Sequence, residues 1–208
     1  MTSRLPHKLR SDARDNRDRV LDAARELFAE RGLDVPMREV ARRAGVGPAT
    51  LYRRFPTKQT LIDAAFAVEV EQCRSIVHDG WADPDPWRGL CRMVQQLAEL
   101  NARNRGFVDA ITAALPSPAD LAAHRASLLH KVADLCRRAK QAGALRPDFV
   151  LDDMILMLLA GRGLAGTPVA VRRDAARRFA ALTLEAFRAS PTTAPLPPPA
   201  RVVPTVHG

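Results

Sequence analysis

The chain has 208 residues, of which 47% are hydrophobic and 26% charged, and its 32 basic and 23 acidic side chains give a formal net charge of +9. This composition predicts a soluble globular protein of one or two domains, and the absence of any run of about 18 apolar residues excludes a membrane-spanning helix. The three cysteines are scattered without a CxxC pair, which argues against a disulfide framework or a zinc site and favours a reducing cytoplasm.

The positive charge is concentrated at the start of the chain. Residues 1–60 carry 14 basic and 8 acidic side chains. Such a local excess suits a polyanionic partner such as nucleic acid, although a solvated surface would also produce it. Residues 1–12 show no periodicity and are predicted to form a flexible basic arm, either plainly disordered or reaching along DNA.

An amphipathic helix is predicted over residues 13–31, ending at Gly32. Its apolar side chains fall on one continuous face: Val20, Leu21, Ala24, Leu27 and Phe28. A helix of this kind is suited to pack behind the next two elements and hold them.

The stretch 35–58 predicts two short helices joined by a tight turn. The first covers residues 37–44 and stops at Gly45, and the second begins with Pro48 at its first position. Burial of Leu51 and Phe55 would turn the rest of the second helix outward. This arrangement is that of a helix-turn-helix, whose second helix enters a DNA major groove.

Thr57 is a predicted N-cap for a third helix over residues 58–78. Lys58 would then stand at a helix N-terminus, where backbone N–H groups and an ammonium can meet one phosphate together.

The sequence after residue 78 predicts further helices, which are separated by a loop at 79–86 and by breaks at glycine and proline. Asp85 and Asp148 are expected to cap the helices that follow them. The last two helices carry wide apolar faces, which predict a homodimer built as a four-helix bundle. These predicted helices cover residues 87–105, 107–115, 118–142, 149–161 and 168–189.

Residues 191–208 contain six prolines and are predicted to form a disordered tail.

Residues 13–66 resemble the DNA-binding domain of TetR-type (tetracycline-repressor-like) transcriptional regulators, through the segments LDAARELFAERGL, MREVARRAGV and ATLYRRFPTK. The resemblance implies an all-α fold, with an N-terminal three-helix helix-turn-helix domain and a larger C-terminal helical domain for ligand binding and dimerisation. The expected division is a basic arm at 1–12, the helix-turn-helix domain at 13–60, the second domain at 61–190 and the proline-rich tail at 191–208.

The resemblance also implies the residues that touch a double-stranded, pseudo-palindromic DNA operator. Thr50, Tyr52 and Lys58 are expected at phosphates. Arg53 and Arg54 stand where the family often has an aromatic residue or a histidine, and their two guanidiniums can either read a guanine or clamp phosphate. The favoured assignment puts Arg53 at a base edge and Arg54 at the backbone. One departure from the family is Pro36-Met37 in place of a threonine pair, for which Asp34 is the nearest substitute cap. The complete expected set is Arg38, Pro48, Ala49, Thr50, Tyr52, Arg53, Arg54 and Lys58.

A small-molecule effector, not identified by the sequence, is implied for the second domain. Its expected apolar lining is Trp87, Met93, Leu97, Phe107, Ile111, Met154 and Leu158, each of which could equally be ordinary core. No catalytic residue, metal site or cofactor is expected, because the sequence lacks the motifs that would supply one.

The sequence therefore predicts a cytoplasmic transcriptional regulator, a repressor that a small, largely apolar ligand releases from its operator. Two alternatives stay open at this point. One is a DNA-binding protein that responds to no ligand, and the other is an enzyme with a helical catalytic domain.

Overall fold

The computed structural model describes residues 5–103, 106–112, 119–191 and 194–199, with side chains from residue 15 onward except 111–125 and 165. Helices dominate this part of the chain, in which a single isolated β-bridge is the only β-type pairing, and the predicted all-α fold is confirmed. The helices are α1 Leu5–Arg31, α2 Met37–Ala44, α3 Pro48–Arg54, α4 Lys58–Ala65, α5 Ala67–Ala82, α6 Pro86–Arg103, α7 Phe107–Thr112, α8 Ala119–Gln141, α9 Leu151–Gly161, a 3-10 helix Arg162–Gly166 and α10 Val169–Phe187.

The chain folds into two compact units, the first ending at Val68 and the second beginning at Glu69. The predicted boundary after residue 60 was therefore too early. Helix α4 belongs to the first unit because it packs against α1 and buries Leu61 and Ile62 completely.

Helix α1 begins at Leu5, so the predicted flexible arm was wrong for residues 5–12, while residues 1–4 lie outside the described residues. Pro6 falls in the first turn, where a missing N–H costs no hydrogen bond, and no helix-breaking residue follows before Gly32. Gly32 has φ +78°, the left-handed conformation that a helix C-terminus favours, which confirms the predicted end.

The predicted single helix over 58–78 is two helices, which meet at Phe66. This residue has φ −110° and ψ 14°, and its side chain is buried with its ring centroid 6.2 Å from that of Phe28. The break allows Phe66 to turn into the core of the first unit. Helix α5 then continues to Ala82, so the predicted loop at 79–86 is shorter than expected.

The second unit is arranged around α6, which packs against α8, α9 and α10. Leu90, Met93 and Val94 of α6 are fully buried. The predicted cap at the start of α6 is confirmed, because the N–H groups of Trp87 and Arg88 donate to Asp85 Oδ1 at 2.9 and 3.0 Å.

Asp148 does not cap α9, contrary to the sequence prediction. Asp153 takes that role by accepting a 2.8 Å hydrogen bond from the Val150 N–H. Asp148 instead accepts two hydrogen bonds from the Arg146 guanidinium, at 2.6 and 2.9 Å, and one from the Leu196 N–H at 2.9 Å. These donors hold the pKa of Asp148 well below its ordinary value.

The same ion pair holds part of the segment predicted as a disordered tail. Arg146 also donates to the Ala194 carbonyl at 3.0 Å and to the Ala186 carbonyl at 3.2 Å, near the end of α10. The prediction was therefore wrong for residues 194–196, because a buried guanidinium and its carboxylate partner bind their backbone. Residues 192–193 and 200–208 lie outside the described residues.

All three cysteines are free thiols. Burial raises the pKa of Cys73 to about 11 and, with a smaller opposing effect of Lys140, that of Cys136 to about 12. Within the described ranges no helix combines the length and the apolar character needed to cross a bilayer.

Helices α5 and α6 approach each other at two glycines. A Cβ atom on Gly89 would lie 2.2 Å from the backbone oxygen of Gly80, whereas a Cβ on Gly163 would meet no heavy atom within 4 Å. The close approach of the two backbones therefore depends on the missing side chain at Gly89.

We expect Gly89→Ala to lower the free energy of unfolding by about 1–3 kcal/mol, because the added methyl group must push two helix backbones apart. Gly163→Ala is the matched control and should change stability little. Denaturant unfolding of both variants measures the difference, and equal stabilities would contradict the proposed close contact.

Candidate DNA interface

An apolar seam on α1 supports the rest of the first unit. The predicted face is confirmed, since Val20, Leu21, Ala24, Leu27 and Phe28 are all buried. Helix α1 packs against α2 and α4, and α2 packs against α3. Burial of apolar area in this seam fixes the orientation of the two helix-turn-helix elements.

The turn between α2 and α3 has the geometry that its sequence predicts. Gly45 has φ +67°, and the Val46 N–H donates to the Ala41 carbonyl at 3.0 Å, which closes the end of α2. Pro48 then occupies the first turn of α3, where its lack of an N–H costs nothing.

Helix α3 buries one face and exposes the other. Leu51 and Phe55 are buried and anchor the helix. Tyr52 keeps 49% of its surface exposed, which is unusual for a large apolar ring. The predicted residues of α3 all lie exposed to solvent: Pro48, Ala49, Thr50, Tyr52, Arg53 and Arg54.

Several other arginines of the first unit are engaged by acidic side chains. Arg43 of α2 contacts Glu26 at 3.0 Å and Glu30 at 3.3 Å on α1, and both carboxylates, Glu30 above all, raise the pKa of Arg43. Glu39 pairs with Arg31, and with Arg42 at 3.6 Å. The pairs of Arg31 and Arg43 link α1 to α2, and the pair of Arg42 lies within α2. All three guanidiniums thus have an acidic partner inside the protein.

Arg38 and Arg53 are exposed, and Lys58 is half-buried. Among the described residues, no acidic side chain lies within ion-pair distance of any of the three. Their charges are therefore available to an external anion such as a phosphate.

Two helix N-termini add to this positive surface. Thr57 and Thr60 form a reciprocal capping box at the start of α4, with N–H···Oγ1 distances of 3.1 and 3.2 Å, so the predicted cap is confirmed and Lys58 stands beside it. The start of α2 has no side-chain cap after Pro36, so the expectation that Asp34 would replace the missing threonine was wrong. The open N–H groups there lie beside exposed Arg38 and favour an anion.

The expected effector residues lie in the second unit. Met93, Leu97, Phe107 and Met154 are buried, and Leu158 is half-buried. Trp87 is half-buried under the Arg188 guanidinium, which lies 5.8 Å from the ring centroid. The side chain of Ile111 lies outside the described residues. Helices α6 and α9 pack together, so five of the seven residues lie on neighbouring helices: Trp87, Met93 and Leu97 on α6, and Met154 and Leu158 on α9.

Asn101 is a polar residue that the sequence reading missed. It is 3% exposed, and its Nδ2 donates to the Leu158 carbonyl at 2.7 Å, which links α6 to α9. Its Oδ1 is buried with no hydrogen-bond partner among the described residues. The signal was its position four residues after Leu97, which places a polar residue on the apolar face of α6.

Two family models match the chain. One, described as bacterial regulatory proteins of the tetR family, covers residues 20–65. The other, described as the C-terminal domain of SbtR-like transcriptional regulators, covers residues 85–189.

Curated relatives match over shorter stretches. The transcriptional repressor KstR of Mycolicibacterium smegmatis is 36% identical over 103 residues, which are 49% of this chain and 50% of KstR. The regulator SAUSA300_2515 of Staphylococcus aureus is 41% identical over 54 residues, or 26% of this chain and 29% of that protein. The chain thus spans half or less of the length of these curated relatives.

Solved structures share the fold at low identity. The ketosteroid regulator KstR2 of Mycobacterium tuberculosis superposes with a TM-score of 0.59 at 20% identity, covering 84% of this chain and 95% of that one. SCO3833 of Streptomyces coelicolor has a TM-score of 0.62 at 19% identity, covering 79% and 89%. With its two family matches and a helix-turn-helix of the expected geometry, the chain belongs to the TetR family of bacterial transcriptional regulators, which bind DNA and are not enzymes.

Proposed function

We propose that this protein is a homodimeric cytoplasmic repressor that a small, largely apolar effector releases from a pseudo-palindromic operator. The observation that carries the DNA-binding part is the exposed face of α3, on which Arg53 has no acidic partner among the described residues. The name of KstR, a repressor, supports the direction of regulation.

In this proposal, one α3 helix from each subunit enters successive major grooves, about 34–36 Å apart. Arg53 donates to the O6 and N7 acceptors of a guanine, and Arg54 contacts the backbone. The side chains of Thr50, Tyr52 and Lys58 bind phosphates. Arg38, at the open start of α2, binds a further phosphate.

The effector would bind in the second unit, among Met93, Leu97, Phe107, Met154 and Leu158. The Oδ1 of Asn101, which has no hydrogen-bond partner in the described part of the chain, gives this apolar region one acceptor. A buried acceptor without a donor is costly, so an effector that carries one O–H or N–H group would be favoured there. Trp87 and Ile111 belong to the same predicted set.

Release from DNA would follow from a population shift. The effector must bind more tightly to a subunit arrangement whose two α3 helices have the wrong spacing for the operator. An apolar molecule with equal affinity for both arrangements would leave DNA binding unchanged.

Dimerisation would use the exposed apolar side chains of α9 and α10. Leu182 is 61% exposed, and Leu156 and Val171 are each 51% exposed. Large apolar residues on neighbouring late helices suit a four-helix bundle formed with the same helices of a second copy.

The base-reading role is tested on an operator obtained by selection of bound genomic DNA. Arg53→Ala should weaken operator binding by about 1–3 kcal/mol and relax sequence preference, whereas Lys58→Ala should weaken binding to all duplexes alike. Arg42→Ala removes the same charge from α2 and is the control. Fluorescence anisotropy with operator and scrambled duplexes measures this, and equal losses of Arg53→Ala on both would contradict base reading.

The dimer is tested by sedimentation. The wild-type protein should sediment as a dimer at micromolar concentration, and Leu182→Glu should give monomers, because a carboxylate would be buried in the apolar interface. Leu196→Glu, at an exposed leucine outside the helices, should remain dimeric. A monomeric wild type would rule out the proposed interface.

The effector is tested by displacement. A panel of apolar compounds with and without a hydroxyl group should include some that release the operator duplex from the wild-type protein. Asn101→Leu should lose sensitivity to the hydroxyl-bearing compounds and keep its response to the others. Intact DNA binding with no release by any compound would favour the alternative, a regulator that responds to no ligand.

A further inference from the structure

Arg25 of α1 makes a contact that joins two distant parts of the DNA-binding unit, α1–α4. Its Nε–H donates to the backbone carbonyl of Ala65 at 2.7 Å, across 40 residues of sequence. Its terminal nitrogen also donates to Asp22 Oδ1 at 2.7 Å, which orients the guanidinium on the surface of α1. The side chain is about one-third exposed.

Ala65 is the last residue of α4. Carbonyl groups in the last turn of a helix have no partner within the helix, and a cation near them interacts favourably with the helix dipole. Arg25 supplies both the hydrogen bond and the positive charge. The other end of α4 is closed by the capping box of Thr57 and Thr60.

Apolar packing alone would hold α4 less specifically. Leu61 and Ile62 are fully buried against the core, but hydrophobic contacts are not directional and resist separation more than rotation. A hydrogen bond depends on distance and angle, so it fixes the rotation and the position of α4 along α1. Because α4 is about 12 Å long, a rotation of the helix about its end at Ala65 also displaces Lys58 at the other end.

We propose that Arg25 is a positioning residue for DNA binding, which fixes the carboxyl end of α4 and so aligns Lys58 with the exposed face of α3. This inference rests on the proposed contact of Lys58 with a phosphate. Arg25 itself touches no DNA in this arrangement. It acts through the orientation of α4.

A double-mutant cycle on the full-length protein tests this role. Lys58→Met should weaken binding to an operator duplex about 5- to 10-fold and reduce the salt dependence of log K by about 0.9, the loss of one phosphate contact. Arg25→Met should cause a similar loss. The double variant should be within about twofold of Lys58→Met alone, since independent sites this far apart would multiply their effects.

Two controls separate positioning from charge and from stability. Arg42→Met removes one exposed arginine from the same unit and should leave the salt dependence and the Lys58→Met effect intact. Asp22→Asn keeps Arg25 but loosens its orientation, and it replaces Arg25→Met in the cycle if that variant does not fold. All binding is measured well below each variant's melting temperature.

The cycle distinguishes the possible failures. If Lys58→Met has no effect in the wild-type background, the proposed contact of Lys58 with a phosphate is wrong, and so is the positioning role of Arg25. If Lys58→Met acts but keeps its full effect beside Arg25→Met, or beside Asp22→Asn where that is used, the phosphate contact stands and the positioning role of Arg25 is overturned.

Discussion

The apolar seam between α1 and its neighbours is the constraint on which the DNA-binding unit depends. Leu27, Phe28, Val40 and Leu61 are almost fully buried there, and each such side chain contributes about 1.5–3 kcal/mol by leaving water. Helix α3 has seven residues, too few to be helical in isolation. Its exposed face therefore keeps its orientation because Leu51 packs into the core that α1 helps to form.

The distribution of acidic residues decides which cations remain for DNA. Glu26, Glu30 and Glu39 lie where α1 faces α2, and they engage Arg31, Arg42 and Arg43. The sequence from residue 40 to residue 62 contains no aspartate or glutamate. The turn, α3 and the start of α4 thus keep their positive charge. A count of basic residues alone would have treated a structural arginine such as Arg43 and an available one such as Arg53 as equivalent.

The features that the sequence predicted correctly are those fixed by local backbone chemistry. Gly32 and Gly45 adopt positive φ, and Thr57 and Asp85 cap the helices that follow them. The features it missed depend on partners far along the chain. Phe66 separates two helices although neither glycine nor proline is present at the break. Its ring packs near that of Phe28, which is far away in the sequence. The local sequence pattern around Phe66 therefore does not indicate this contact.

Asp148 has one partner close in the sequence and one far along the chain. An aspartate before a helix is a sound local cap, but this carboxylate accepts hydrogen bonds from Arg146, two residues away, and from the distant Leu196 N–H. At the end of α9 the Arg162 N–H donates to the Leu159 and Ala160 carbonyls, while the Leu158 carbonyl accepts a hydrogen bond from the amide of the buried Asn101. That bond accounts for the nitrogen of the side chain. The side-chain oxygen is buried without a hydrogen-bond partner among the described residues, so the apolar contacts between α6 and α9 include one unsatisfied acceptor.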